Sequence, residues 1–409
     1  MNTQKKPLVV IFLTVFIDLI GFGIIIPLSP YLASEFGADA LQVGLLMTVY
    51  SAAQFLFSPL WGQLSDKFGR RPIILISLLG AGIAHLVFAM AQTYWLLFAA
   101  RLLAGVFGAN ISTAMAYIAD ITGEKDRSKN MGLVGAAFGL GFVLGPSLGS
   151  LFGYVGEMLG TAPPFGKSFS AVIAGLICLA NFAFAWKALK ESLPRERRGV
   201  RQKKPRFEMI MVHLKRPVVG PLQVMYFLSS FAMAHMEASL FLLVQDDFQW
   251  SLTKAGLGFA YVGMIMVVTQ GYLIRKLLPK LGEPYLLASG LLMKGLGLAG
   301  IALSGNVWDL AISVTLLGLG TGFINPALSG SISLLTSKDQ QGGVMGVSQS
   351  LSALGRIVGP VLGGWLYRDL AHQAPFLAAS LIVALSLLMA LFIFKHLPSK
   401  AKELSREKF

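Results

Sequence analysis

The feature that most constrains this chain is the recurrence of apolar runs about twenty residues long. A helix needs ~20 mainly apolar residues to cross the hydrocarbon core of a bilayer, because each residue advances only ~1.5 Å. Runs of this kind fall near 8–33, 42–64, 73–91, 94–119, 130–152, 169–188, 218–244, 255–275, 285–304, 308–332, 342–366 and 374–396. The spacing predicts an all-α membrane protein with twelve transmembrane helices. Hydrophobic residues make up 55% of the 409 positions and charged residues 13%, about half the ~25% usual in soluble domains. In water so apolar a chain would expose large sticky patches, which excludes a soluble globular fold.

The charges are arranged as a membrane protein needs them. The net charge of +14 is spread over short segments between apolar runs instead of along one soluble face, which argues against a nucleic-acid partner. With both termini inside, the inner segments hold nearly all the Lys and Arg, and the outer loops hold only Lys167, Lys254 and Arg368. That is a roughly ninefold bias toward the cytoplasm. The expected location is a bacterial inner membrane, crossed many times, with both termini cytoplasmic. The first apolar run continues past Ile26 without a small-residue cleavage site, so it reads as a retained span. Cys178 is the single cysteine, and the five histidines lack HxxxH or HExxH spacing. Neither a metal site nor a cofactor is expected.

The longest polar segment, Lys190 to Arg216, divides the chain into an N-terminal six-helix half (1–189), a basic cytoplasmic linker (190–217) and a C-terminal six-helix half with a short tail (218–409). Such basic clusters attract anionic lipid headgroups by ~1 kcal/mol per residue. The halves also resemble each other. A shift of 214 positions carries Met131-Gly132 onto Met345-Gly346, Leu140-Gly141 onto Leu354-Gly355, Gly145-Pro146 onto Gly359-Pro360 and Leu148-Gly149 onto Leu362-Gly363. The matched spans run the same way, so the repeat is parallel, and the halves are expected to be pseudo-symmetric with a site between them.

Between spans two and three stands Gly62-Gln-Leu-Ser-Asp66-Lys-Phe-Gly69-Arg70-Arg71-Pro72. It resembles the signature loop of the major facilitator superfamily, G-x-L-[SA]-D-[RK]-x-G-R-[RK], at every defined position. Gly62 permits close backbone approach, Gly69 permits a tight turn, and Asp66 suits a neighbouring helix N-terminus. The resemblance implies the major facilitator fold and a gating role for these residues, with Asp66 clamping the halves and Arg70 pairing with Asp120 at the end of span four. Span five carries Gly141-Phe-Val-Leu-Gly145-Pro146-Ser-Leu-Gly149, similar to the G-x-x-x-G-P-x-x-G-G motif of the family's drug:proton antiporters, with Ser150 at the last position. Its glycines would also serve as a helix-packing face. Arg101 to Gly105 in span four looks like the family's R-x-x-x-G pattern, in which a buried arginine assists proton coupling. Span one, from Asp18 to Pro30, with Tyr50 and Gln54 in span two, is similar to tetracycline and multidrug exporters. The similarity breaks in the second half, where Lys294 stands for an acid and Met266 for a histidine, and the second copy of the loop, Arg275 to Pro284, is degenerate.

An ionisable group inside a span is a functional candidate by default, since it is costly unless paired or hydrated. Asp18, Arg101 and Glu237 are the expected proton-coupling residues, with a static Asp18–Arg101 pair as the structural alternative. Arg356 is a candidate countercharge for Glu237. His85 reads as a packed core histidine, and His235 cannot share a helical face with Glu237 two residues on. Tyr50, Gln54, Asn110, Lys294, Asn325 and Arg356 are expected to line the substrate cavity, with Asn110 and Asn325 in similar places of the two repeats.

These features lead to a secondary transporter working by alternating access, a proton antiporter exporting lipophilic small molecules or drugs. Export of a metabolite, sugar or lysolipid is the alternative. A membrane sensor or enzyme is a remote reading, for there is no catalytic motif, nucleotide loop or signalling domain. The expected partners are a small-molecule substrate, protons and membrane lipids, and the chain is expected to act as a monomer.

Overall fold

A computed structural model of the chain describes residues 5–122, 127–198, 211–336 and 341–397. Most of the basic linker, 199–210, and the tail after 397 lie outside the described residues. All the regular structure among them is helical. In chain order the helices are α1 (Lys5–Glu35), α2 (Ala40–Phe68), α3 (Arg70–Ala89), α4 (Tyr94–Phe107), α5 (Ile111–Ile121), α6 (Arg127–Leu159), α7 (Phe169–Ala188), α8 (Val219–Asp246), α9 (Leu252–Val268), α10 (Ile274–Leu303), α11 (Val307–Leu334), α12 (Gln341–Asp369) and α13 (Ala374–Ile393). One tight turn, Gly108–Asn110, links α4 to α5 within a single span.

Nine helical segments among the described residues are long and apolar enough to cross a bilayer. One of them, Leu252–Leu303, takes in α9 and α10 and covers two of the expected spans, because it breaks at Gly282, where φ is 79°. The helices α6 and α12 occupy the expected fifth and eleventh segments. Local sequence sets several ends. Asp39 caps α2 by accepting from Gln42 N, while the Gln42 side chain accepts from Asp39 N (2.8 and 2.9 Å), a capping box that satisfies two otherwise orphaned donors. Thr93 and Asn306 cap α4 and α11 in the simpler way. Outward-facing Leu56, Trp95, Leu381 and Phe392 are all well over half exposed, the surface expected of a chain that meets lipid.

The chain forms two compact units. One comprises Met1–Lys203 with Gln249–Ala260, the other Lys204–Phe248 with Tyr261–Phe409. In the first unit α6 packs along α1, α7 along α3, and α4 between α2 and α3. In the second, α12 packs along α8, α11 along α10, and α13 against α10 and α8.

Between helices surrounded by lipid the hydrophobic effect supplies little attraction, so association depends on close packing. Glycine makes that possible at the α1–α6 seam. A Cβ added to Gly141 would stand 2.8 Å from Leu19 Cβ, one on Gly145 2.5 Å from Gly23 Cα, and one on Gly149 2.7 Å from the Ile24 carbonyl oxygen. The same three positions of the repeat do the same work in the second unit. There a Cβ on Gly355 would meet Phe231 N at 2.7 Å, on Gly359 Ala234 Cβ at 2.8 Å, and on Gly363 the His235 carbonyl oxygen at 2.9 Å. The span-five glycines therefore act as a packing face, and the internal repeat marks one helix seam built twice.

A methyl group at Gly145 has only backbone to collide with, so Gly145→Ala should destabilise the protein by about 1–3 kcal/mol. Gly271, with nothing within 4 Å of its added Cβ, should tolerate alanine and gain up to about 1 kcal/mol from helix propensity. Thermal unfolding of the two variants in detergent checks this; a Gly145→Ala protein as stable as wild type would refute backbone contact at the seam.

Candidate functional site

The loop between α2 and α3 is a compact charged structure. The chain reverses at Gly69 with φ 107°, a region open to glycine and strained for other residues. The Arg70 side chain turns inward and is only 2% exposed. Its Nη1 lies 2.6 Å from Asp66 Oδ1 and donates to Ser65 Oγ at 2.6 Å, and its Nε donates to Asp120 Oδ2 at 3.1 Å. Ser65 in turn donates to the carbonyl of Gly62, itself buried. A buried guanidinium is tolerable only when its charge and donors are met together, and here two carboxylates and a hydroxyl meet them.

Glu191, just beyond α7, is the residue that sequence reasoning missed in this loop. Its carboxylate accepts from the first two backbone N–H groups of α3, those of Arg70 (2.9 Å) and Arg71 (3.2 Å), and from Ser192 N and Leu193 N (both 3.0 Å). An anion at a helix N-terminus meets both orphaned donors and the helix dipole. The carboxylate also fills the space that a side chain at Gly69 would need. Arg71 closes the arrangement by donating to the carbonyls of Leu189 and Trp186 (2.8 and 2.7 Å). No pattern in the loop points to Glu191, because it lies more than a hundred residues downstream.

A second polar cluster lies among the spans of the first unit. Asp18 lines a small cavity of about 20 Å³ with Phe22, Tyr50, Gln54, His85 and Gly108 among its walls. Asp18 Oδ2 accepts from Asn110 Nδ2 at 3.4 Å. Gln54 Nε2 donates to the Gly108 carbonyl at 2.8 Å, and Gly108 lets Tyr50 approach, since a Cβ there would stand 2.7 Å from its hydroxyl. The structure thus brings Asp18, Tyr50, Gln54 and Asn110 together.

Arg101 is not the partner of Asp18, which corrects the structural alternative of an Asp18–Arg101 ion pair. Its guanidinium lies over the Tyr50 ring at 4.6 Å and near Phe22 at 5.9 Å, and Nε reaches only the Leu46 carbonyl at 3.5 Å. Aromatic faces hold the cation in place of a carboxylate. Nη1 is buried with no hydrogen bond.

In the second unit Glu237 on α8 lies within electrostatic reach of Arg356 and Lys294. Lys294 is 1% exposed and its ammonium donates to the Ser229 carbonyl and hydroxyl, both at 3.0 Å. Arg356 Nη1 donates to Ser352 Oγ at 3.0 Å, and Ser352 pairs with Ser230 at 2.5 Å. His235 is fully buried, edge-on to Phe231. Asn325 is exposed while Asn110 is buried, so these two asparagines differ in environment. Among the described residues no group of three or more His, Cys, Asp or Glu could hold a metal ion.

Comparison with known proteins agrees with this architecture. The profile of the Major Facilitator Superfamily matches residues 11–308 and 277–409. The tetracycline resistance protein, class C, of Escherichia coli is 32% identical over 373 residues, covering 89% of this chain and 90% of the relative. Multidrug resistance protein 2 of Bacillus subtilis (strain 168) is 31% identical over 391 residues, 94% of each chain. Among solved structures, the crystal structure of the human organic anion transporter MFSD10 (TETRAN) matches with a TM-score of 0.71 and 26% identity, over 95% of this chain and 100% of that one. A chain of apolar helices that carries the signature loop and matches the superfamily over nearly its whole length is a multi-pass membrane transporter, not an enzyme, and it belongs to the Major Facilitator Superfamily.

Proposed function

We propose that the protein is a proton-coupled antiporter that exports lipophilic small molecules or drugs by alternating access. Asp18 carries this reading. It is an acid among apolar spans, lining a water-sized cavity with a neutral amide as its partner. An acid so placed can take up and release a proton without first breaking an ion pair. The names of the tetracycline and multidrug relatives support export of drugs. The protein sits in a bacterial inner membrane as a monomer with both termini cytoplasmic. Residues 1–189 and 218–409 act as two six-helix halves joined by the basic linker 190–217, which faces anionic lipid and binds no nucleic acid.

In this reading Gly62, Asp66, Gly69, Arg70 and Asp120 gate the cytoplasmic side and do not touch substrate, and Glu191 supports the gate. Asp18, Arg101 and Glu237 couple protons. Tyr50, Gln54, Asn110, Lys294, Asn325 and Arg356 face substrate.

A second reading, export of organic anions, is favoured by one observation: Glu237 has two cations within reach, Arg356 and Lys294, an excess of positive charge that would suit a carboxylate. The human relative of known structure, MFSD10 (TETRAN), is itself named an organic anion transporter. Proteoliposomes under an imposed pH gradient, tested with ethidium, tetracycline and carboxyfluorescein, separate the readings. Gradient-driven accumulation of ethidium or tetracycline supports drug export, accumulation of carboxyfluorescein alone supports the anion reading, and no gradient dependence with any probe removes proton coupling.

Arg70→Ala and Asp66→Asn should abolish turnover of the transported probe while its equilibrium binding stays within a few-fold, because both act at the gate. Binding lost in parallel with transport would show that the gate assignment is wrong.

Asp18→Asn should behave as a permanently protonated site. Exchange of probe down its gradient should persist, and uphill transport should fall at least tenfold. Uphill transport by Asp18→Asn at the wild-type rate would move the proton carrier elsewhere, with Glu237 next to be tested.

A further inference from the structure

His85 stands on α3 in the wall of the cavity that also holds Asp18, and it is 5% exposed. A neutral imidazole carries one donor and one acceptor, yet neither ring nitrogen of His85 makes a hydrogen bond among the described residues. Its side chain lines a space of about 20 Å³ shared with Asp18, enough for one water.

The groups around His85 are few and identifiable. From α1 come Asp18, on the same cavity wall, and Gly21, where an added Cβ would stand 3.7 Å from His85 Nε2 and 2.8 Å from Cys178 Sγ. From α2 comes Tyr50. From α4 the charge of Arg101 reaches His85, and from α7 Cys178 lies within electrostatic reach of Asp18. With Asp18 ionised and His85 neutral, the Arg101 charge is balanced. One added proton leaves the cluster with a single positive charge. Glycine at 21 leaves room beside Nε2, where a Cβ would stand 3.7 Å away.

We propose that Asp18 and His85 form one proton-holding site, joined through a water in this cavity. The inference rests on the reading of Asp18 as the proton carrier and adds His85 as a positioning residue for the same proton. The step is a simple binding event. A proton from water settles on an Asp18 carboxylate oxygen, the water relays its hydrogen bond to a ring nitrogen of His85, and the proton leaves by the same groups. Arg101, held over Tyr50, fixes the charge against which the site works.

The test needs no substrate. Infrared difference spectra of the purified protein in liposomes, recorded through a pH titration, report the protonated-carboxyl stretch. Asp18→Asn should remove one such band. His85→Gln and His85→Asn should each retain it but move its midpoint by at least about one pH unit, a tenfold change in proton affinity, while thermal unfolding shows both variants folded. A band that titrates as in wild type in both folded His85 variants overturns the proposal and leaves Asp18 as a lone carrier. Survival of every band in Asp18→Asn overturns the reading of Asp18 itself.

Discussion

Backbone contact between α1 and α6, at Gly23 and Gly145, governs how the first unit can be built. In hydrocarbon there is no water to expel from between two helices, so what holds them is dispersion and weak polar contact at short range. Both decline steeply with separation, and a single Cβ at the crossing would push the axes apart along the seam. The proline one residue on, Pro146, lies inside α6, where it removes one backbone hydrogen bond; close contact with α1 offsets that loss. Asp18 lies immediately before Leu19, the residue Gly141 packs on. The seam therefore also sets the depth and direction of the acid.

Charge is the second constraint, and the protein answers it in two ways. At the α2–α3 loop the buried charge is answered directly: Arg70 by Asp66 and Asp120, and the start of α3 by Glu191. Deeper among the spans the answers are incomplete. Arg101 rests on aromatic faces with one nitrogen unmet, Lys294 donates to Ser229, and Asp18 has an amide. Fully met charges are rigid and hard to separate. Groups met by dipoles and rings exchange partners at lower cost, which is the property a coupling site needs. The division follows depth: firm ion pairs at the helix ends, loosely met charges inside.

Much of this was legible in the sequence because its physics is local. Runs of twenty apolar residues can do little except span, Gly69 marks a turn, and the repeat from Pro146 to Pro360 marks a seam used twice. The pairing of Arg70 with Asp120 followed from the resemblance of the loop to its family. Long-range partners were not legible. Nothing near Gly69 announces Glu191, and nothing near Gly145 says that its neighbour is Gly23. His85 read as core because a lone histidine on an apolar helix usually is; only its place on a cavity wall without a protein partner distinguishes it. The second copy of the signature loop looked degenerate, yet Gly282 there keeps a positive φ of 79° and the next residue, Glu283, is 1% exposed. The turn survives, while an acid occupies the place that Arg70 holds after Gly69. Shape and charge have been inherited separately.

That separation extends to the ionic sites. The seams fix a register between α1 and α8, for Gly145 meets Ile24 N as Gly359 meets His235 N, and Gly149 meets the Ile24 carbonyl oxygen as Gly363 meets that of His235. In this register Asp18 answers to Ser229, and Glu237 answers to Ile26. Ser229 accepts from the Lys294 ammonium through its carbonyl and hydroxyl, so the position that carries an acid in the first unit carries a hydroxyl tied to a cation in the second. A symmetric pair of acids would give two equivalent proton sites competing for one role. Here the same scaffold holds an acid beside an amide in one unit, and an acid beside two cations in the other. Two acids in such different surroundings release their protons under different conditions. A scaffold repeated for packing and varied for charge thus gives each unit an acid in surroundings of its own.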